Sequence, residues 1–284
     1  MWWTGKALGF DFETDGKDPT DARIITCGMV AMDPGLNPTD LELMLQPERD
    51  IDPGAVAIHG ITTERARKEG QLREVGIAQI VTTVAELVDE DRPMVGHNLS
   101  YDLTVLDREM RRVGIGSLST DIDTGYVSLR VDGKQAARFP VIDTYVLDKA
   151  VDRYRPGKRQ LSFVAAHYGV PMADGAAHGA TADAIASLRI AIEIANRCAM
   201  PISAVADLYM DRRYPMEVAE AFYNLGALSL ADLHYFQCQA AVDQAEGLRG
   251  HFLKKGDKQA AATVNGAWPF RPVPALETVT TELL

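Results

Sequence analysis

The sequence predicts an α/β fold: a mixed sheet, its first three strands antiparallel, flanked by helices and followed by a helical C-terminal extension. Three observations lead there. Short apolar stretches bounded by turn residues come first and in succession, KALGFDF, ARIITCGMVAMDP and LELMLQP, as consecutive strands do. Helical segments and two further short strands follow, an order unlike the simple alternation of a parallel sheet. The sequence then changes character near Pro201 and reads as mainly helical. The 284 residues thus divide into a domain over 1–198 and a mainly helical extension over 199–284.

Each element has its own signal. KALGFDF is stopped by the turn-like run TDGKDP. The turn PGLNPTD joins the second and third strands and makes them antiparallel. AVAIHGITTERARKEG reads as one short helix, with capping threonines at Thr62 and Thr63. EVGIAQIVTTVAELVDE has helical periodicity, and RPMVGHN is a short buried strand. SYDLTVLDREMRRVG is an amphipathic helix, with Leu103, Leu106, Met110 and Val113 at helical spacing. Residues 114–139 are less regular, and Asp132-Gly133 signals a small hairpin or flap. VID at 141–143 ends a fifth strand. DTYVLDKAVDRY and KRQLSFVAAHYGV are helices, the latter stopped by Gly169 and Pro171. HGATADAIASLRIAIEIANRC is a long helix, and SLADLHYFQCQAAVDQAEGLRGHFLKKG is the strongest segment of the extension. The tail after Pro274 lacks core-forming periodicity.

Composition narrows the function. With 46% hydrophobic and 24% charged residues the chain is that of a soluble globular protein. No apolar run reaches bilayer length, and MWWTGKALGFDFE runs straight into the first strand, unlike a cleaved leader. Cys27, Cys198 and Cys238 lack metal-ligand spacing and read as reduced thiols of a cytoplasmic protein. The net charge of −11 argues against a sequence-independent DNA coat. It leaves room for an enzyme acting on nucleic acid, because metal-binding carboxylates are neutralised by their ions.

The candidate chemistry begins at GFDFETDG. Side chains alternate along a strand, so Asp11 and Glu13 share one face and Phe10 and Phe12 the other. Like charges this close are costly unless a cation lies between them. A divalent ion such as Mg²⁺ or Mn²⁺, which prefers oxygen ligands, is the natural candidate. An isolated D-x-E is more often a solvated strand end. Two later stretches resemble it. In VGHNLSYDLTVL, Asp102 falls in the first turn of a helix, where the dipole favours an acid. In HGATADAIASL, His178 precedes Asp183 by five residues near a helix start. Each alone is ordinary.

Together, D-x-E on the first strand, H-N-x-x-x-D at a strand-to-helix turn and H-x-x-x-x-D at a helix start resemble the DEDDh family of 3′-5′ exonucleases. These are relatives of the proofreading epsilon subunit of bacterial DNA polymerase III, of RNase T and of oligoribonuclease. AVAIHGIT resembles a segment that epsilon-like members carry between the first two motifs, and the resemblance covers roughly residues 5–198. It implies an RNase H-like fold and a two-metal hydrolysis of phosphodiester bonds from a 3′ end, with Mg²⁺ as the pair of ions and Mn²⁺ as a substitute. It implies that Asp11, Glu13 and Asp183 hold one ion, that Asp11 and Asp102 hold the second, and that His178 is the general base. Gly179 stands four before Asp183, which rules out the sister group's tyrosine arrangement. Tyr101 replaces the phenylalanine common before the second-motif aspartate, either as a core aromatic or as a polar tip near the site.

The same resemblance places Phe12 and Thr14 beside the terminal nucleotide, His59 in the lining of the cleft, and His97 and Asn98 at the border of the active site, with a structural role as the alternative for His97 and core packing for Phe12. Asp143, at a helix start, reads as structural. RYRPGKRQ, with Arg155, Lys158 and Arg159, is either a phosphate-binding loop or a solvated one. The expected substrate is a single-stranded or frayed 3′ end of DNA, in proofreading or repair, with an RNA-trimming exoribonuclease as the alternative. A dehalogenase-like phosphatase needs D-x-D and gives H-x-x-x-x-D no role. A replisome adaptor without activity would usually have lost a ligand, and all are present. The stretch from HYFQCQ to NGAWPF resembles extensions on exonucleases of actinobacteria and their phages. A polymerase or replisome protein is the partner expected to bind residues 199–284.

Overall fold

A computed structural model describes residues 2–172 and 179–273. Strands β1 (Ala7–Thr14), β2 (Ile24–Met32) and β3 (Thr39–Met44) form an antiparallel meander. Helices α1 (Pro53–His59), α2 (Thr63–Glu69) and α3 (Arg73–Leu87) lead to β4 (Met94–Gly96) and α4 (Leu99–Arg112). A second sheet, β5 (Gly116–Thr120), β6 (Val127–Val131) and β7 (Lys134–Phe139), precedes β8 (Val141–Asp143) and α5 (Thr144–Val151). Then come α6 (Leu161–Tyr168), α7 (Ala180–Ala199), α8 (Ile202–Leu208), α9 (Pro215–Gly226), α10 (Leu230–Lys254) and α11 (Lys258–Thr263). The main sheet has the order β3-β2-β1-β4-β8, with β4 and β8 parallel to β1. This is the RNase H-like mixed sheet.

Two local readings need correction. The single helix expected from AVAIHGITTERARKEG is two, because Gly60 ends α1 in the left-handed region at φ 72° and Thr62 starts α2 by accepting from the Arg65 N–H. The hairpin expected within 114–139 is there, turning at Asp132 and Gly133 with φ of 48° and 75°. A third strand, β5, joins it. GSLST has too few apolar residues to announce a strand.

The sheet separates two cores. On one face Leu8, Phe10 and Phe12 pack with Ile77 and Ile80 of α3 and Leu103 and Leu106 of α4. On the other, Ala7, Val30, Val95 and Ile142 pack with Leu188 and Ile194 of α7. Tyr209, Phe222, Leu225 and Leu233 join this second core, so the C-terminal helices and α7 bury their apolar faces together.

The extension also closes the sheet. β8 pairs with β4 on one side only, and α10 covers its other edge. His234 Nδ1 accepts from the Val141 N–H at 3.0 Å, and Gln237 Oε1 accepts from the Asp143 N–H at 2.7 Å. Gln237 Nε2 donates to the Val141 carbonyl at 2.8 Å. Two polar side chains with no exposed surface thus replace a neighbouring strand. Among the described residues no helix is long and apolar enough to cross a membrane.

Candidate active site

β1 carries Gly9, Asp11 and Glu13 on the face that α7 covers. Its register with β2 sets Asp11 opposite Gly28 and Glu13 opposite Thr26. The approach of α7 depends on the two glycines. A Cβ on Gly28 would stand 2.2 Å from the Ala180 carbonyl carbon and the Thr181 nitrogen. A Cβ on Gly9 would meet Leu188 Cδ1 at 2.6 Å. With neither present, the first turn of α7 lies against the sheet and delivers Asp183. Carboxylate oxygens of Asp11, Glu13 and Asp183 then all lie within 4.8 Å of one another.

Asp102 arrives from α4. β4 pairs with β1 only at Leu8 and Gly9, so β1 runs on past its shorter neighbour. Asp102 Oδ1 accepts the Phe12 N–H at 3.0 Å, satisfying a backbone donor that no strand reaches. The turn before it is held by Asp143, the N-cap of α5. Asp143 Oδ1 accepts from the Tyr145 N–H at 3.0 Å and the Asn98 N–H at 2.8 Å, fixing Asn98 at φ 66°.

Crowded buried carboxylates hold their protons. Burial, then Asp102, Asp183 and Glu13, push the Asp11 carboxyl well above its ordinary range. Burial, Asp183, Asp102 and Glu42 push Glu13 up to about 8. Burial also pushes Asp102 up to about 8, against the pull of the Phe12 N–H. Such a set favours a multivalent cation, and its donors are hard oxygens suited to Mg²⁺ or Mn²⁺.

A cavity of about 270 Å³ adjoins the carboxylates, lined by Phe12, Glu13, Thr14, Lys17, His59 and Tyr101 among others. Tyr101 is a polar tip as well as a packed ring: its hydroxyl bonds Thr14 Oγ1 and the Gly16 carbonyl, both at 2.6 Å. His59 is buried at the end of α1, and its Nδ1 accepts from the Ile61 N–H at 3.1 Å. Burial lowers its pKa, so the neutral ring carries its proton on Nε2. That atom faces the Thr14 backbone without a hydrogen bond of good geometry among the described residues.

Other candidates lie differently. Both ring nitrogens of His97 are engaged, Nδ1 with Thr144 Oγ1 at 2.9 Å and Nε2 with the Arg159 carbonyl at 2.8 Å. His97 therefore ties the β4–α4 turn to the loop before α6. Asn98 is exposed. Arg155 and Arg159 turn inward to the buried Asp148, at 2.8 and 2.5 Å, because that carboxylate has lost water and needs them. Of the loop's three candidates only Lys158 is fully exposed, its ammonium over the Phe163 ring. His178 lies outside the described residues. Sequence reasoning missed Lys17, whose signal is a basic residue four positions after Glu13. It also missed Gly9 and Gly28, whose role depends on a helix distant in sequence.

Comparisons with known proteins follow the same outline. The RNase_T family model, described as Exonuclease, matches residues 8–191. DNA polymerase III subunit epsilon of Pasteurella multocida (strain Pm70) is 26% identical over 186 residues, 63% of this chain and 64% of that protein. The chain thus spans less than two thirds of that relative's length. The crystal structure of E. coli Exonuclease I with a dT13 oligonucleotide is similar at TM-score 0.52 and 19% identity, covering 73% of this chain and 46% of that one. The same enzyme with a dA16 oligonucleotide gives 0.50 and 20%, over 78% and 43%.

Proposed function

From a chain that belongs to the RNase_T exonuclease family, we propose a 3′-5′ exonuclease of the DEDDh type that releases nucleoside 5′-monophosphates from a 3′ end of DNA. One observation carries the reading. Three carboxylates from two elements more than 160 residues apart in sequence meet within 4.8 Å, at the end of a strand and beside a cavity. Nothing in packing requires such repulsion, whereas two-metal hydrolysis does. The oligonucleotides in the Exonuclease I structures support single-stranded DNA as the substrate class. The epsilon relative supports a polymerase as partner, and residues 199–284 are the segment we assign to it. Three free thiols agree with a cytoplasmic setting.

Asp11, Glu13 and Asp183 would hold one divalent ion, and Asp11 with Asp102 the second, Mg²⁺ or in its place Mn²⁺. Bound there, the pair supplies an activated water and stabilises charge on the attacking and leaving oxygens. The chain's own groups do the rest. His178 takes the proton from the attacking water, as an imidazole near neutrality can. His59 lines the cavity beside the carboxylates, with its Nε2 turned to the Thr14 backbone. Phe12 and Thr14 wall the same cavity, in which the terminal nucleotide sits, and Lys17 offers a cation at its mouth.

The test is a gel time course on 5′-labelled DNA and RNA oligonucleotides of equal sequence, with Mg²⁺, Mn²⁺ or EDTA. A metal-dependent ladder shortening from the 3′ end, faster on DNA and lost in Asp11→Ala and His178→Ala, is expected. No degradation by folded protein with metal present overturns the reading.

A further inference from the structure

The last described segment, residues 264–273, is a strap that crosses from α11 back to α4. Its anchors are specific. The Trp268 indole donates to Asp143 Oδ2 at 3.2 Å. The Arg271 N–H donates to Thr104 Oγ1 at 2.9 Å. Arg108 donates to the Arg271 and Pro272 carbonyls at 3.0 and 3.1 Å. Phe270 is buried in the core that holds Phe10 and Phe12.

Beneath the strap is a cavity of about 150 Å³, lined by Asn98, Ser100, Lys149, Gln244 and Arg271 among others. Two cations line it, and neither forms an ion pair among the described residues. The Arg271 backbone is held by α4, and the residue lines the cavity. Lys149 rests over the Tyr145 ring at 4.8 Å, its ammonium 3.4 Å from the Tyr145 hydroxyl. One carboxylate lines the cavity, Asp143, and it is fully engaged with Asn98, Tyr145 and Trp268. The α4 N-terminus also opens here: Asn98 is its N-cap and makes no side-chain cap bond. Its positive end adds to the two cations.

The cavity has a defined relation to the carboxylates. Asn98 precedes Asp102 by four residues, about one helical turn, or roughly 6 Å along the axis. That is close to the spacing of neighbouring phosphates on a single strand. The charge of Arg271 also acts on Asp18, whose carboxyl is lowered chiefly by the Thr20 hydrogen bonds. We propose that Lys149 and Arg271, with the α4 N-terminus, form a subsite for one phosphodiester of the substrate strand upstream of the bond that is cut. The strap, which lies outside the span of the family model, thereby completes the nucleic-acid track. The inference rests on the exonuclease reading and adds a contact from the C-terminal extension to it.

The experiment compares the full chain with Lys149→Gln, Arg271→Gln, the double variant and Arg271→Lys. Binding of a fluorescein-labelled oligothymidylate is followed by anisotropy in EDTA over a salt series. Turnover is measured with Mn²⁺ on the oligothymidylate and on the p-nitrophenyl ester of thymidine 5′-monophosphate, which has no upstream phosphate. Losing one phosphate contact should weaken binding about tenfold in the double variant. It should also reduce the slope of log Kd against log salt by about 0.7. The ratio of kcat/KM for oligonucleotide over ester should fall by a similar factor, with Arg271→Lys retaining most of it. Unchanged affinity, slope and ratio in variants that melt like the parent overturn the subsite. If the double variant melts lower, the single variants decide. If the parent cleaves neither substrate, the exonuclease reading fails, and affinity and salt slope alone decide the subsite.

Discussion

Glu13→Gln should stabilise the metal-free protein at alkaline pH while abolishing turnover. The sign follows from proton linkage. Glu13 ionises at 4.5 when unperturbed and at about 8 in the fold, chiefly through burial and then through Asp183. Below about pH 4.5 both states hold the proton, and the site costs nothing. Between 4.5 and 8 the unfolded chain releases its proton and the fold does not, so stability falls by about 1.4 kcal/mol per pH unit. Above 8 both are ionised and the loss levels off. The full interval sets a ceiling of roughly 5 kcal/mol. Relaxation and counter-ions in the open cleft reduce it, so about 2–4 kcal/mol is expected at pH 8, or roughly 5–15 °C in melting temperature. The assay is thermal unfolding in EDTA from pH 5 to 8.5, repeated with Mn²⁺. The parent should lose stability as pH rises and regain it with metal. The variant should be flatter and gain less. Parallel pH profiles for parent and variant in EDTA would refute the reasoning, because they would mean that Glu13 carries no electrostatic strain.

Gly28→Ala should damage activity from a position that touches no substrate. Its Cβ would sit 2.2 Å from α7 backbone where ordinary contact begins at 3.4 Å, so the helix start must retreat by about 1 Å. Turnover should fall about 100-fold and stability by about 1–3 kcal/mol, whereas Gly247→Ala, inside α10 with open space around it, should act like the parent and melt no lower. Gln237→Leu should strand the Asp143 N–H and the Val141 carbonyl. Calorimetry should show a loss of about 2–5 kcal/mol, and an unchanged melting temperature would mean that α10 does not close the sheet. Asp102→Asn should relieve the same crowding as Glu13→Gln. It would keep an acceptor for the Phe12 N–H, so EDTA melting at pH 8 should rise while activity is lost.

The strands and helices that form the site were legible because their signals are local. Alternation placed Asp11 and Glu13 on one face of β1, and first-turn positions placed Asp102 on α4 and Asp183 on α7. What local periodicity cannot carry is which faces meet and which backbone groups remain unsatisfied afterwards. Asp183 joins Asp11 and Glu13 because two glycines leave the sheet bare under α7. Asp102 turns to Phe12 because β4 is shorter than β1 and leaves a donor exposed. Arg155 and Arg159 read as part of either a phosphate-binding loop or a solvated one, but a buried Asp148 draws them inward. His234 and Gln237 drew no reading of their own from the sequence, yet β8 ends the sheet and its free edge needs them. The residue types were decided by the sequence. Close approach and the satisfaction of buried polar groups, which depend on elements far apart in the chain, decided what those residues face.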